Sequence, residues 1–229
     1  MIIIPEKVVY IKVPKAASTT IARMFWDRYG VEQTATMNGE VATNVRQFFS
    51  LDQVGNSVPV LNGNWFFNRS GAFGWHAGYQ DLTHVFGERL RGYHWVASVR
   101  HPVARMFSVF SFQVAKGRID ATLTEEDFSS FCQAVFEGGR SLTQQQHVHT
   151  WAQSHWLPAP SDGQELSLIR QENLANDVAA LAARVPSFSG VQLAHANQSF
   201  QGDWECYVGP ALQNQIEDHY EEDMERFGY

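Results

Sequence analysis

The sequence predicts an α/β domain: a mainly parallel central sheet flanked by helices. Three observations carry this. Runs rich in aliphatic, β-branched or aromatic residues recur at 7–13, 94–99 and 166–170. Stretches with helical apolar spacing stand between and after them. No repeat, proline-rich stretch or charged linker divides the 229 residues. A single domain over residues 1–229 is therefore expected, long enough to bury a core without disulfides.

The run 7–13 reads as a strand stopped by Pro14. Ser18-Thr19-Thr20 then leads into a helix over 21–26, with hydroxyls placed to cap it and Gly30 closing it. Residues 31–74 are rich in Asn, Gly and Thr without periodicity and read as mostly loop with short pieces. A second buried strand, 94–99, ends at Arg100. Pro102 suits a first helical turn, and Val103, Phe107, Phe110 and Val114 fall on one helical face. Further helices are expected over 127–136, 144–156, 173–185 and 210–227, and a third strand over 166–170.

Hydrophobic residues at 44% and aromatics at 13% exclude disordered and collagen-like classes. No apolar window is long enough for a membrane span. The first seven residues, broken by Pro5, are too short for a secretory signal. Cys132 and Cys206 are too few for a disulfide framework, so a reduced, cytoplasmic setting is expected. The net charge of −7, from 24 acids against 17 bases, argues against a nucleic-acid or anionic-membrane binder. The charge is uneven, however. Residues 84–118 hold six arginines and lysines and one acid, Glu88, whereas residues 217–229 hold six acids and one base. A basic middle in an acidic chain implies one localised anion site, and the acidic tail reads as a solvated helix face.

Two motifs could form that site. In the first, a strand is followed by Pro14-Lys15-Ala16-Ala17-Ser18-Thr19-Thr20 and a helix. Small residues let backbone approach an anion, the helix N-terminus offers N–H groups, and Lys15 adds a full charge. The GxxxxGK spacing of a nucleotide-binding Walker loop is absent. The bland alternative is a well-capped turn with a solvated lysine. In the second motif, Arg100 ends a buried strand and Ser108 lies about two turns into the next helix. Ligands of open α/β sheets bind beyond such strand ends, where a guanidinium and a hydroxyl can grip phosphate.

In this order and spacing, the two motifs resemble the sulfotransferases that use 3′-phosphoadenosine 5′-phosphosulfate (PAPS). The segment Trp75-His76-Ala77-Gly78-Tyr79-Gln80-Asp81-Leu82 is similar to the histidine-bearing segment of uronosyl 2-O-sulfotransferases. Residues 168–174 and 220–229 resemble further stretches of that family. His101 stands where the family usually has an acid, and Gly74 where the 2-O enzymes have a second histidine. The resemblance implies a P-loop-like sulfotransferase fold and an O-sulfotransferase whose acceptor is a carbohydrate or glycoconjugate hydroxyl. It implies that Lys15, Ala16, Ala17, Ser18, Thr19 and Thr20 hold the 5′-phosphosulfate of PAPS, and that Arg100 and Ser108 hold the 3′-phosphate. It further implies Lys15 and His76 as the catalytic pair, with the desulfated nucleotide PAP as product.

Sulfuryl transfer demands positioning and charge stabilisation, as phosphoryl transfer does, but the less charged sulfuryl group demands no divalent metal. Lys15 would stabilise charge on the bridging oxygen, and His76, with an ordinary pKa near neutrality, would take the acceptor proton. His147, His149 and His155 invite a metal reading, but His147 and His149 diverge on a helix and no cysteine or carboxylate completes a set. Gln144, Gln145 and Gln146 could face acceptor or cofactor; Met24, Trp26, Trp151 and Trp156 read as core. With four lysines, the chain is expected to take a small or weakly charged acceptor. A nucleotide or small-molecule kinase and an inactive nucleotide-binding partner protein are the alternatives. Self-association stays open.

Overall fold

Val8, Val9, Tyr10 and Ile11 are all buried, as expected of a strand covered on both faces. They form β2 (Val8–Ile11), inside a four-stranded sheet of order β1-β2-β5-β6. The structure, a computed structural model, describes residues 2–4, 7–28, 36–37, 40–41, 76, 78–190 and 203–229. β1 (Ile2–Ile4) runs antiparallel to β2, with Ile3 opposite Val9. β2, β5 (His94–Val99) and β6 (Leu166–Arg170) are parallel, with Tyr10 opposite Val96 and Ala97 opposite Leu168. The expected parallel sheet is thus present, with one antiparallel edge strand added. The edge strand was not foreseen, because Pro5 interrupts the opening run.

Each face of the sheet is sealed by helices. On one side Val9, Ile11, Trp95, Ala97 and Val99 pack with Leu82 of α2 (Tyr79–Phe86), Val148 of α5 (Gln144–Thr150), and Phe227 of α8 (Glu221–Phe227). On the other, Val8, Tyr10, Val96 and Ile169 pack with Ile21 and Phe25 of α1 (Ser18–Arg28) and Val178 and Leu181 of α6 (Leu174–Ala182). A third cluster joins Val103, Phe107 and Phe110 of α3 (Pro102–Ala115) to Phe128 and Phe131 of α4 (Glu125–Phe136) and Ile216 of α7 (Pro210–His219). Val103, Phe107 and Phe110 of the face predicted for α3 are buried and Val114 partly so, but the helix is covered on its other sides as well, with Arg105, Ser108 and Gln113 also buried. Met24 and Trp156 are core residues and Trp151 packs against the core; the side chain of Trp26 lies outside the described residues. Cys132 is buried and Cys206 exposed, both free.

Four expectations change. Ser18, Thr19 and Thr20 are the first turn of α1 rather than its cap. The helix expected over 144–156 stops at Thr150, because Trp151 turns extended (φ −57, ψ 149) and a 3-10 turn, Ser154–Trp156, follows. Its last carbonyls are taken by side chains instead of a further turn: Arg105 donates to His149 and Trp151, and the Tyr220 hydroxyl to Thr150. The helix expected over 210–227 breaks at Tyr220 into α7 and α8. Finally, the acidic tail is mostly exposed, but Asp223 is fully buried. Of the stretch 31–74, only the pair β3 (Thr36–Met37) and β4 (Glu40–Val41) falls within the described residues. Among the described residues no helix is long and apolar enough to cross a membrane.

Candidate active site

β2, β5 and β6 are parallel, so their carboxyl ends share one edge of the sheet, and the predicted residues follow the first two of those ends. Between β2 and α1, Lys15 (φ 62) and Ala17 (φ 57) hold left-handed backbone, a conformation that costs an L-residue roughly 1–2 kcal/mol. Strain of this kind persists where surrounding structure enforces it, most often at functional sites. The Ala17 carbonyl accepts from the Thr20 and Ile21 amides, starting α1, whose first turn carries no acid. The helix therefore presents its positive end to this edge without a carboxylate of its own. Ala16 packs into the core by its side chain, so only its backbone is available to the cradle.

The Lys15 amine lies 4.2 Å from the centre of the Phe112 ring of α3. Burial lowers its pKa to about 8, and the charges of Arg100 and Lys116 add to the effect. The guanidinium of Arg118 also lies over Phe112, 5.6 Å from its centre. Cations from the β2 loop, the end of β5 and the end of α3 thus converge. Among the described residues, no ion pair with a carboxylate involves Arg100, Arg105, Lys116 or Arg118.

Arg100 is held through its backbone. Its amide donates to Gln153 Oε1 at 2.9 Å, and its carbonyl accepts from Gln153 Nε2 at 2.8 Å. Its side-chain Nε is buried with no hydrogen-bond partner. Burial depresses its pKa, against the pull of Glu172. Arg100 is half-buried, and an unpaired Nε is a feature it shares with Arg105, whose other guanidinium nitrogens hold the carbonyls of His149 and Trp151. Ser108 is buried in α3 beyond it, and His101 caps that helix by accepting from the Val103 amide at 3.3 Å.

His76 joins this edge from a distant segment. Its Nδ1 lies 2.6 Å from the Lys12 carbonyl. A carbonyl only accepts, so Nδ1 carries the proton and the neutral ring keeps its lone pair on Nε2. Its pKa is driven well below the ordinary value, first by burial and then by His149. The His149 ring meets it edge to face at 5.4 Å between centroids. His149 is itself held near Gln113 Nε2, at 3.4 Å, and lowered to about 4 by burial, Lys15, Arg105 and Arg118.

Sequence reasoning missed His149, Lys12, Gln113 and Gln153 as parts of this edge. A signal existed for the first, since His147 and His149 diverge on a helix. They do diverge: His147 lines a separate cleft of about 630 Å³ with Tyr79, Trp151, His155, Glu222 and Arg226. No signal existed for Gln153, whose partners are backbone atoms 53 residues away.

A model of one protein family matches residues 2–229, nearly the whole chain. The chain belongs to the Sulfotransferase family. No curated protein and no solved structure matches it. The protein is therefore an enzyme of sulfate-group transfer on an α/β scaffold.

A sulfotransferase handles an anionic donor, and the converging cations at the strand ends of this one suit that need. Among the described residues of the sulfotransferase, no three His, Cys, Asp or Glu side chains come together as a metal-binding group. His147 and His155 do line one cleft, but His149 points elsewhere. Gln146 is a capping residue, with Oε1 accepting from the Thr143 amide and Nε2 donating to the Arg118 carbonyl. The side chains of Gln144 and Gln145 lie outside the described residues.

Proposed function

We propose that this sulfotransferase moves a sulfuryl group from PAPS to a hydroxyl of a carbohydrate or glycoconjugate, with His76 as general base. The observation that carries the reading is the hydrogen bond from His76 Nδ1 to the Lys12 carbonyl, on the segment that carries Lys15. It leaves Nε2 as the proton acceptor on a ring tied to the backbone three residues before Lys15. PAPS, when bound, supplies the activated sulfuryl group. Lys15 and the first turn of α1, Ser18 to Thr20, would hold its 5′-phosphosulfate with the backbone of Ala16 and Ala17. Arg100 and Ser108 would hold its 3′-phosphate.

In the transfer, His76 Nε2 takes the acceptor proton as the acceptor oxygen bonds to sulfur. Lys15 stabilises the charge left on the phosphate oxygen as the old S–O bond breaks. The carbohydrate acceptor rests on the likeness of residues 75–82 to the 2-O enzymes.

Calorimetric titration with PAP tests the reading. Binding to wild type without magnesium, weakened about 30-fold or more in Arg100→Ala, is expected from loss of a buried charge-assisted contact. Absence of PAP binding, with ATP and magnesium bound instead, would overturn it in favour of a kinase.

A further inference from the structure

The buried carboxylate of Asp223 has no part in the chemistry above, yet it lies at the start of a chain of contacts that ends at Arg100. Its Oδ2 accepts from the Gln153 amide at 2.7 Å, and its Oδ1 from the Ser154 amide at 2.8 Å. Both oxygens are thus spent on the first donors of the 3-10 turn Ser154–Trp156. That turn delivers the Gln153 side chain to the Arg100 peptide, where the amide bonds both the N–H and the C=O. Past Val99 the strand pairing stops, because β6 ends opposite it at Arg170. Gln153 supplies the missing partners. Gln153 and Asp223 are both fully buried, so this amide and carboxylate stay where packing sets them.

We infer that Gln153 and Asp223 are positioning residues for Arg100, so that α8 helps to build the anion-binding end of the site. This rests on the proposed role of Arg100 in holding the 3′-phosphate. A guanidinium grips phosphate by direction as well as charge, so a loosened Arg100 backbone weakens the grip even with the charge intact. Other contacts tie the same C-terminal segment to this edge. Tyr229 donates to Glu172, which accepts from the His101 amide, and Arg170 donates to the Phe227 carbonyl.

The test uses Gln153→Met, which keeps the volume and removes both bonds, and Asp223→Asn, which keeps the shape. Amide hydrogen exchange of the ligand-free proteins should show faster exchange at Arg100 in both variants. PAP affinity should fall roughly five- to tenfold in Gln153→Met, the scale of two ordinary hydrogen bonds. The donor KM should rise while the acceptor KM stays put, a split that general destabilisation would not produce. Unchanged Arg100 exchange in Asp223→Asn overturns the relay. So does Gln153→Met binding PAP as tightly as wild type does while Arg100→Ala binds it far more weakly. If wild type itself fails to bind PAP, the functional reading falls, and the exchange measurement still decides whether Asp223 and Gln153 hold Arg100.

Discussion

His76 and His149 stand edge to face with ring centroids 5.4 Å apart, one tied to the β2 loop and the other to α5. Burial first, and His149 second, drive the His76 pKa well below 6.5. Its neutral, proton-accepting form is therefore populated above that depressed pKa. The acid limb of kcat/KM should lie below pH 6.5. His149→Phe removes one of the charges that depress it, so the limb should move upward. A pH–rate profile of both proteins checks this, and a wild-type limb above 6.5 would contradict it.

His76→Ala removes the proposed base. Turnover should fall by roughly 100-fold or more, the usual scale of general-base catalysis, with PAP affinity retained. Equal loss of binding and turnover, measured by calorimetry and single-turnover assay, would remove His76 from that role.

His149 is buried, and its folded pKa of about 4 lies below the ordinary 6.5. The unfolded chain therefore binds more protons between those values, and stability rises with pH across them. The contribution is fully present above about 6.5 and is lost as pH falls toward about 4. Integrated, it amounts to about 3 kcal/mol. Chemical denaturation across that range should show His149→Phe losing less stability on acidification than wild type.

Lys15 titrates at about 8, lowered by burial and by the charges of Arg100 and Lys116. It is charged below that value and neutral above it, so PAP binding should weaken as pH rises through about 8. Lys116→Ala removes one repelling charge and should move this transition upward. Calorimetry at about pH 7 and about pH 9 reads both effects.

Ala17 holds φ 57, where glycine is at ease and alanine is strained. Ala17→Gly should raise stability by up to about 1 kcal/mol, relief of strain outweighing the added freedom of the unfolded chain. A lowered denaturation midpoint would show that the Ala17 methyl contributes packing that glycine cannot replace.

β2 and β5 were legible because they are buried on both faces and read as uncharged runs, Val8–Ile11 and His94–Val99, whereas β6 alternates buried and half-buried residues. α3 was legible from Pro102 and the spacing of Val103, Phe107 and Phe110. The end of α5 was not, because the groups that stop it, Arg105 and Tyr220, come from remote elements and bond only its carbonyls. Lys15 and Arg100 could be singled out as charges following apolar strands. Gln153 could not, since an amide that satisfies a peptide leaves no pattern in its own neighbourhood. The tail misled for a related reason: its acids look alike in sequence, and only tertiary packing distinguishes buried Asp223 from its exposed neighbours.

The hydroxyls of Tyr10 and Ser98 meet at 2.7 Å although 88 residues separate them. They belong to β2 and β5, the strands that deliver Lys15 and Arg100 to one edge. Closing so long a loop precedes any reward from the contacts it makes, and pairing of this kind is slow. A nascent chain that has emerged only as far as α1 carries half an anion site and none of its partners. The proposed anion site is thus assembled only once β5, residues 94–99, has been made and has found β2. A refolding experiment followed by nucleotide binding would report the sheet's completion rather than the earlier collapse.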